Sequence, residues 1–252
     1  MKIQYIRQDN EIVSGITLKD ETEPEAYNLA LHCCQEATAV LNNRRALADE
    51  LGVELEQLIC ANQTHSANLY KVTRDDLGRG STDADTAIPN TDALYTFEKD
   101  LVLCTFTADC VPVTFYDPTS GLIGVIHSGW QGTVKEISLR VMDFLKNRER
   151  LNPENLQVHI GTALSQHHFE VDEDVYIRFK ALGYANNFIY FNEDTSKYHI
   201  DNQLVVKTQF ELSGVPSDNI QIDPTCTFDS IEGFSYRQCK QDGRHLTFIY
   251  RR

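Results

Sequence analysis

Cys110, His127 and His65 are the side chains of this chain best suited to bond-making chemistry, and two of them flank one stretch, TADCVPVTFYDPTSGLIGVIHSGWQGT at 107–133. Cys110 stands at the entrance to an apolar run, Val111 to Tyr116, and His127 at the exit of the next, Leu122 to Ile126. Both runs are short and rich in β-branched and aromatic residues, and an Asp-Pro-Thr-Ser-Gly cluster divides them, so they predict two strands joined by a turn. Antiparallel pairing returns the imidazole to the thiol. His65 lies at the end of a further short apolar run, Leu58 to Ala61. Two imidazoles and a thiolate suit zinc, and three protein ligands leave a fourth position for water, as catalytic zinc sites do. Water held there is acidified toward neutral pH and can act as a nucleophile. The same atoms permit a metal-free alternative, with Cys110 as nucleophile, His127 as its base and Asp109 or Gln63 as orienter or oxyanion donor in an amide or ester hydrolase. A thiolate committed to zinc cannot attack an acyl carbon, so the two exclude each other. A third reading, a zinc-stabilised interaction domain without catalysis, uses the metal alone.

The elements that must position these residues follow from pattern. Lys2 to Arg7 and Glu11 to Leu18 predict an opening hairpin, and Gln35 to Leu51 a helix whose apolar positions recur at helical spacing until Gly52 stops it. Asn68 to Thr73, Ala93 to Phe97, Leu101 to Phe106, Leu156 to Ile160, Asn187 to Phe191, Ile220 to Ile222 and Leu246 to Tyr250 read as strands. Val134 to Lys146, Val171 to Leu182 and Asn202 to Leu212 read as helices, the first of them capped by Thr133. Asp75 to Asn90 is a polar loop and a candidate flap over the site. Strands outnumber helices and cluster in hairpins, which predicts an α+β fold with a mixed, largely antiparallel sheet in one domain over residues 1–252.

With 252 residues and 41% hydrophobic content the chain can bury a large core, and a net charge of −14 argues against nucleic acid or an anionic membrane as partner. No stretch has the length of a membrane span or a signal peptide's apolar core, which predicts a cytoplasmic protein. Seven cysteines without a CxxC pair read as reduced thiols, most of them in the core. A small anion is still admissible where arginines converge. Arg44 falls on the apolar spacing of its helix, and an inward arginine calls for an anion; Arg237, Lys240 and Arg244 form a small basic cluster near the C-terminus.

With these residues in place the chain resembles the laccase-domain family, historically called multicopper polyphenol oxidases and now regarded as purine nucleoside phosphorylases. The matching pieces are Asn62-Gln63-Thr64-His65-Ser66, Thr91-Asp92-Ala93, TADCVP at 107–112, HSGWQGT at 127–133, Ile160-Gly161, Glu170-Val171, Cys226-Thr227 and Phe234-Ser235-Tyr236-Arg237 with Gly243-Arg244. Asn43-Arg44 matches as well. The resemblance implies a layered α/β/β/α sandwich, Zn2+ on His65, Cys110 and His127, and a phosphate or substrate contact for Arg44. Gln63, Arg237 and Arg244 are further candidates for substrate or phosphate, and Asp109 for the catalytic set. It also implies phosphorolysis of adenosine, inosine and methylthioadenosine, with adenosine deamination as a second activity, in a monomer or small homo-oligomer. Gln131, Thr162 and His167-His168 depart from the family's usual arginine, proline and cysteine-containing turn. Copper fits less well than zinc: there are eight histidines but no His-x-His pair, and Met1 and Met142 are the only methionines for an axial position. The residues therefore argue against polyphenol oxidation.

Overall fold

The computed structural model describes all residues, Met1–Arg252. The chain runs β1 (Lys2–Gln8), β2 (Ile12–Leu18), α1 (Ala37–Leu51), β3 (Leu58–Ile59), β4 (Leu69–Lys71), β5 (Ala93–Thr96), β6 (Val102–Thr107), β7 (Val111–Asp117) and β8 (Leu122–Ser128). It continues through α2 (Trp130–Val134), α3 (Ile137–Arg148), β9 (Gln157–Ile160), β10 (Glu170–Val171), α4 (Glu173–Lys180), β11 (Ile189–Asn192), β12 (Lys197–Ile200), α5 (Asn202–Leu212), β13 (Ile220–Ile222) and β14 (His245–Arg251). Three sheets result, in the orders β1-β2-β14-β6-β3, β13-β9-β7-β8-β5-β4 and β10-β12-β11. Pairing is antiparallel except at β3/β6, β4/β5 and β13/β9, which gives the expected mixed, largely antiparallel α+β fold.

The layering follows from the two-residue alternation of strand side chains. In the first sheet Ile12, Ile59, Leu103 and Ile249 point one way and meet Leu94, Ile123 and Val125 of the second sheet. Their neighbours Val13, Leu58, Val102 and Phe248 point the other way, onto Leu47 and Leu51 of α1. The outer face of the second sheet, with Val113, Phe115 and Ile126, packs on Val141 and Leu145 of α3 and Val206 and Phe210 of α5. The order is therefore helix, sheet, sheet, helices, and strands covered on both faces read as continuous apolar runs. The small third sheet packs with α4 around Val171, Phe179 and Ile200.

The long helix expected from Val134 to Lys146 is instead α2 and α3, broken where Glu136 takes a φ of 60°. Thr133 does not cap it; its hydroxyl bonds Ser128 Oγ at 2.8 Å inside α2. Residues Asp75 to Asn90 do not form a free flap. The buried Arg44 guanidinium holds the segment by donating to Gly80 O and Ser81 O, at 2.5 and 2.7 Å, while its Nε donates to Leu29 O. Ile88 adds a bridge to Ala61. β12 escaped the sequence reading. All seven cysteines are free thiols, with Cys60, Cys104 and Cys226 buried.

The β7–β8 hairpin sets the register on which the site depends, pairing Pro112 with His127 and Phe115 with Gly124. The Phe115 ring lies over Gly124 so closely that a Cβ there would stand 2.1 Å from its Cζ. Gly124→Ala therefore forces a fully buried ring to move, and it is expected to lower stability by about 1–3 kcal/mol, read from the urea midpoint at unchanged slope.

Candidate metal centre and adjoining cavities

Topology brings the three candidate ligands to one rim. His65 sits on the crossing from β3 in the first sheet to β4 in the second, and Cys110 on the crossing from β6 to β7. β3 and β6 are parallel neighbours, so both crossings leave from the same end. β5 pairs antiparallel with β8, Ala93 opposite Ile126, which sets Asp92 against His127. His65 and Asp109 occupy the tight crossings with φ of 56° and 81°. Gly129 floors the cluster: a Cβ there would lie 2.5 Å from His65 Cδ2 and 2.9 Å from Cys110 Sγ, so a side chain cannot be accommodated.

One ligand atom from each of His65, Cys110 and His127 lies within 4.8 Å of the others, and Cys110 Sγ is 3.8 Å from His65 Nε2. Tetrahedral zinc with ordinary Zn–S and Zn–N lengths holds sulfur and nitrogen about 3.6 Å apart, so the donor set fits that ion. His127 Nδ1 is 2.8 Å from Asp92 Oδ1, which turns Nε2 toward the cluster. Burial pushes the Cys110 thiol up, but the His127 charge and hydrogen bonds from His127 and His65 outweigh it and bring it down to about 6. Burial likewise pushes His127 down, and the Cys110 thiolate and Asp92 reverse this to about 9. The sulfur is thus set up as the anion a metal requires.

Asp92 is the residue the sequence reading did not single out for a role. Its carboxylate, 3% exposed as a residue, also accepts the backbone N–H groups of Thr64, His65 and Ser66 at 3.2, 3.1 and 2.7 Å and the Ser66 hydroxyl at 2.6 Å. Burial opposes its ionisation, yet His127 and Ser66 hold its pKa below the usual value. Thr91-Asp92-Ala93 was visible as a family block, but its function depends on partners far away in sequence. Lys135, also missed, donates to His65 O at 2.6 Å.

The other candidates are arranged around the cluster. Asp109, expected as a possible orienter of His127, does not touch it. Its carboxylate accepts from Thr227 Oγ1 at 2.6 Å and Arg237 N at 2.7 Å. Gln63 is not an orienter either; its amide pairs with Phe106 N and Phe106 O, each at 2.8 Å. A cavity of about 410 Å³ opens beside His65, Cys110 and His127 and is also lined by Gln63, Tyr236 and Arg244. A second, of about 270 Å³, shares His65, Cys110 and Tyr236 with it and is also lined by Trp130, Phe169, Asn202 and Arg237. Arg44 lines a third cavity, of about 260 Å³, which shares His32, Gln63 and Phe106 with the first. His245, which follows the polar Asp242-Gly243-Arg244, is fully buried; its Nδ1 faces Thr17 O at 2.7 Å and burial pushes it down to about 4.

This arrangement can be set beside known proteins. The family described as multi-copper polyphenol oxidoreductase laccase matches residues 19–252. The chain belongs to this family. A relative from Geobacillus stearothermophilus, purine nucleoside phosphorylase YlmD, is 34% identical over 247 residues, covering 95% of this chain and 90% of the relative. The crystal structure of YlmD from that organism superposes with a TM-score of 0.90 at 33% identity, over 96% of this chain and 92% of that one. Adenosine deaminase RL5, from an unknown prokaryotic organism, is 32% identical over 228 residues, 89% of this chain and 87% of that protein. No helix is long and apolar enough to cross a membrane.

Asp92→Asn removes the anionic acceptor behind His127 while keeping the shape. Zinc affinity measured by chelator competition is expected to fall about 10–100-fold, with the circular dichroism spectrum unchanged.

Proposed function

We propose that the chain, acting as one domain, is a zinc-dependent purine nucleoside phosphorylase with adenosine deaminase activity as a second capacity. The observation that carries the reading is a preformed set of one thiol and two imidazoles beside two adjoining cavities, each of which carries an arginine. The names of the relatives supply the reaction class, and the geometry suggests how the parts divide it.

Zinc held by His65, Cys110 and His127 supplies Lewis acidity and a site for activating water, the chemistry a deaminase needs. In phosphorolysis a phosphate oxygen bonds to the anomeric carbon, and the bond from that carbon to the purine nitrogen breaks with its electron pair leaving on the ring. Arg244, beside His65 and His127, neutralises the incoming phosphate. The purine lies between Trp130, Phe169 and Tyr236, whose faces suit a flat aromatic ring and exclude water from the reacting bond. Asn202 Oδ1 is buried there without a partner in the protein, while its Nδ2 donates to Ser128 O at 3.3 Å. An orphaned acceptor of this kind costs stability unless a ligand N–H completes it, as an amino group or ring N–H of a purine does. Arg237 and Asp109 shape the wall of this cavity. Arg44, expected as a phosphate contact, has its donors on the Leu29, Gly80 and Ser81 carbonyls and clamps the segment that closes the adjoining cavity.

The metal-free reading also has a specific observation in its favour, since Cys110, His127 and Asp92 form a thiol, imidazole and carboxylate series. It predicts hydrolysis of an ester or amide by protein that never contained metal, with loss on Cys110→Ala. The phosphorylase reading predicts adenine or hypoxanthine release only with phosphate and only in zinc-loaded protein. Cys110→Ala and His127→Ala are each expected to lower that rate at least about 10²–10³-fold. Arg244→Met is expected to raise the KM for phosphate about tenfold or more with a smaller change in the KM for nucleoside, and Asn202→Ala the reverse. Base release that continues at full rate without phosphate rules the phosphorylase out.

A further inference from the structure

We propose a second zinc site, separate from the first, on His168, Cys226 and Asp229. An imidazole nitrogen, a thiol sulfur and a carboxylate oxygen from these residues lie within 4.8 Å of one another. They come from two segments, the stretch leading into β10 and a turn closed by Ser230 N donating to Cys226 O at 3.0 Å. His168-Phe228 stacking, with centroids 4.1 Å apart and planes at 20°, fixes the imidazole. Its Nε2 stands 2.8 Å from Asp229 Oδ1. Cys226 is 9% exposed, and its sulfur already accepts the Ser165 N–H at 3.4 Å, the kind of backbone donor that steadies a metal thiolate.

Nitrogen, sulfur and oxygen donors together suit zinc and disfavour magnesium or calcium, which take oxygen ligands. The Asp229 side chain is 62% exposed, so its carboxylate can open from hydrogen-bond to ligand spacing without moving the core. An exposed His–Asp pair alone contributes little to stability.

The location gives this ion a consequence. Arg237 Nη1 donates to His168 O and Glu170 O, at 3.0 and 3.1 Å, and the Gln238 amide donates to Phe228 O. Zinc on the two segments would join the stretch whose carbonyls hold Arg237 to the turn whose Phe228 O accepts from Gln238, and Arg237 lines the cavity beside Trp130 and Phe169. The second ion thus acts as a clamp on the cavity wall, without contact with the first cluster.

The test is zinc stoichiometry of the full chain after loading with excess zinc and gel filtration, read by elemental analysis. The wild type is expected to hold about two zinc ions per chain, and Cys226→Ser and His168→Gln about one. Cobalt(II) gives an independent reading. The Cys110→Ser protein is expected to keep a thiolate-to-cobalt charge-transfer band, and Cys110→Ser with Cys226→Ser to lose it. His168→Gln changes a partly exposed side chain, so loss of metal in that variant is not a folding failure. Equal zinc in wild type and His168→Gln, or no thiolate band in Cys110→Ser, overturns the second site. Failure of the first site has a different signature: about one zinc per chain, unaffected by Cys110→Ser and lost in Cys226→Ser.

Discussion

The Asp92 carboxylate is the tie on which the rest of the site depends. It sits at the start of β5, in the second sheet, and gathers three successive N–H groups of the Thr64–Ser66 crossing while facing His127 Nδ1. A buried carboxylate with this many donors is held ionised, and its charge is satisfied by groups that it thereby fixes in space. One residue therefore sets both the path of the loop that carries His65 and the direction of the His127 ring. The thiol arrives by a separate route, on the crossing from β6 to β7, and Gly129 leaves room for it. The ligands are held in place by Asp92 and by the crossings that carry them, which is the arrangement a metal centre needs if a fourth position is to stay available.

The two-sheet architecture explains why the centre lies at an edge. Chain segments that pass from one sheet to the other must turn at a rim, and parallel β3 and β6 place their turns side by side. Those turns use backbone conformations that non-glycine residues seldom adopt, at His65 and Asp109, and hydrogen bonds from neighbouring loops hold them there. Asp109 spans to Thr227 and Arg237, so the C-terminal segment becomes part of the same rim. Both cavities open along it. Their linings differ in a way that suits a substrate with an aromatic part and an anionic co-substrate: aromatic rings with an orphaned amide oxygen on one side, imidazoles with Arg244 on the other.

Much of this was legible in the sequence. The β7–β8 hairpin, α1 up to its glycine stop and α5 all follow from local apolar spacing and turn residues, and the hairpin alone was enough to bring Cys110 toward His127. What escaped depends on partners distant along the chain. Asp92 has no local signature, because its donors belong to residues that only the fold brings near. The polar run from Asp75 to Asn90 carries loop composition, and the inward Arg44 guanidinium with the Ile88–Ala61 bridge explains why it is pinned. His245 lies among polar neighbours in sequence, yet the sheet buries it between Thr17 and Phe234. Glu136 breaks a helical pattern that spacing alone would have continued, at a point where its carboxylate meets Tyr184 and Lys135 reaches back to His65.

X-ray absorption at the zinc edge, on protein carrying Cys226→Ser so that only the first centre contributes, tests the central claim most directly. The account predicts a first shell with one sulfur at about 2.3 Å and nitrogen or oxygen neighbours at about 2.0–2.1 Å, the sulfur lost on Cys110→Ser. A zinc shell without sulfur, or copper in place of zinc in protein as purified, contradicts it.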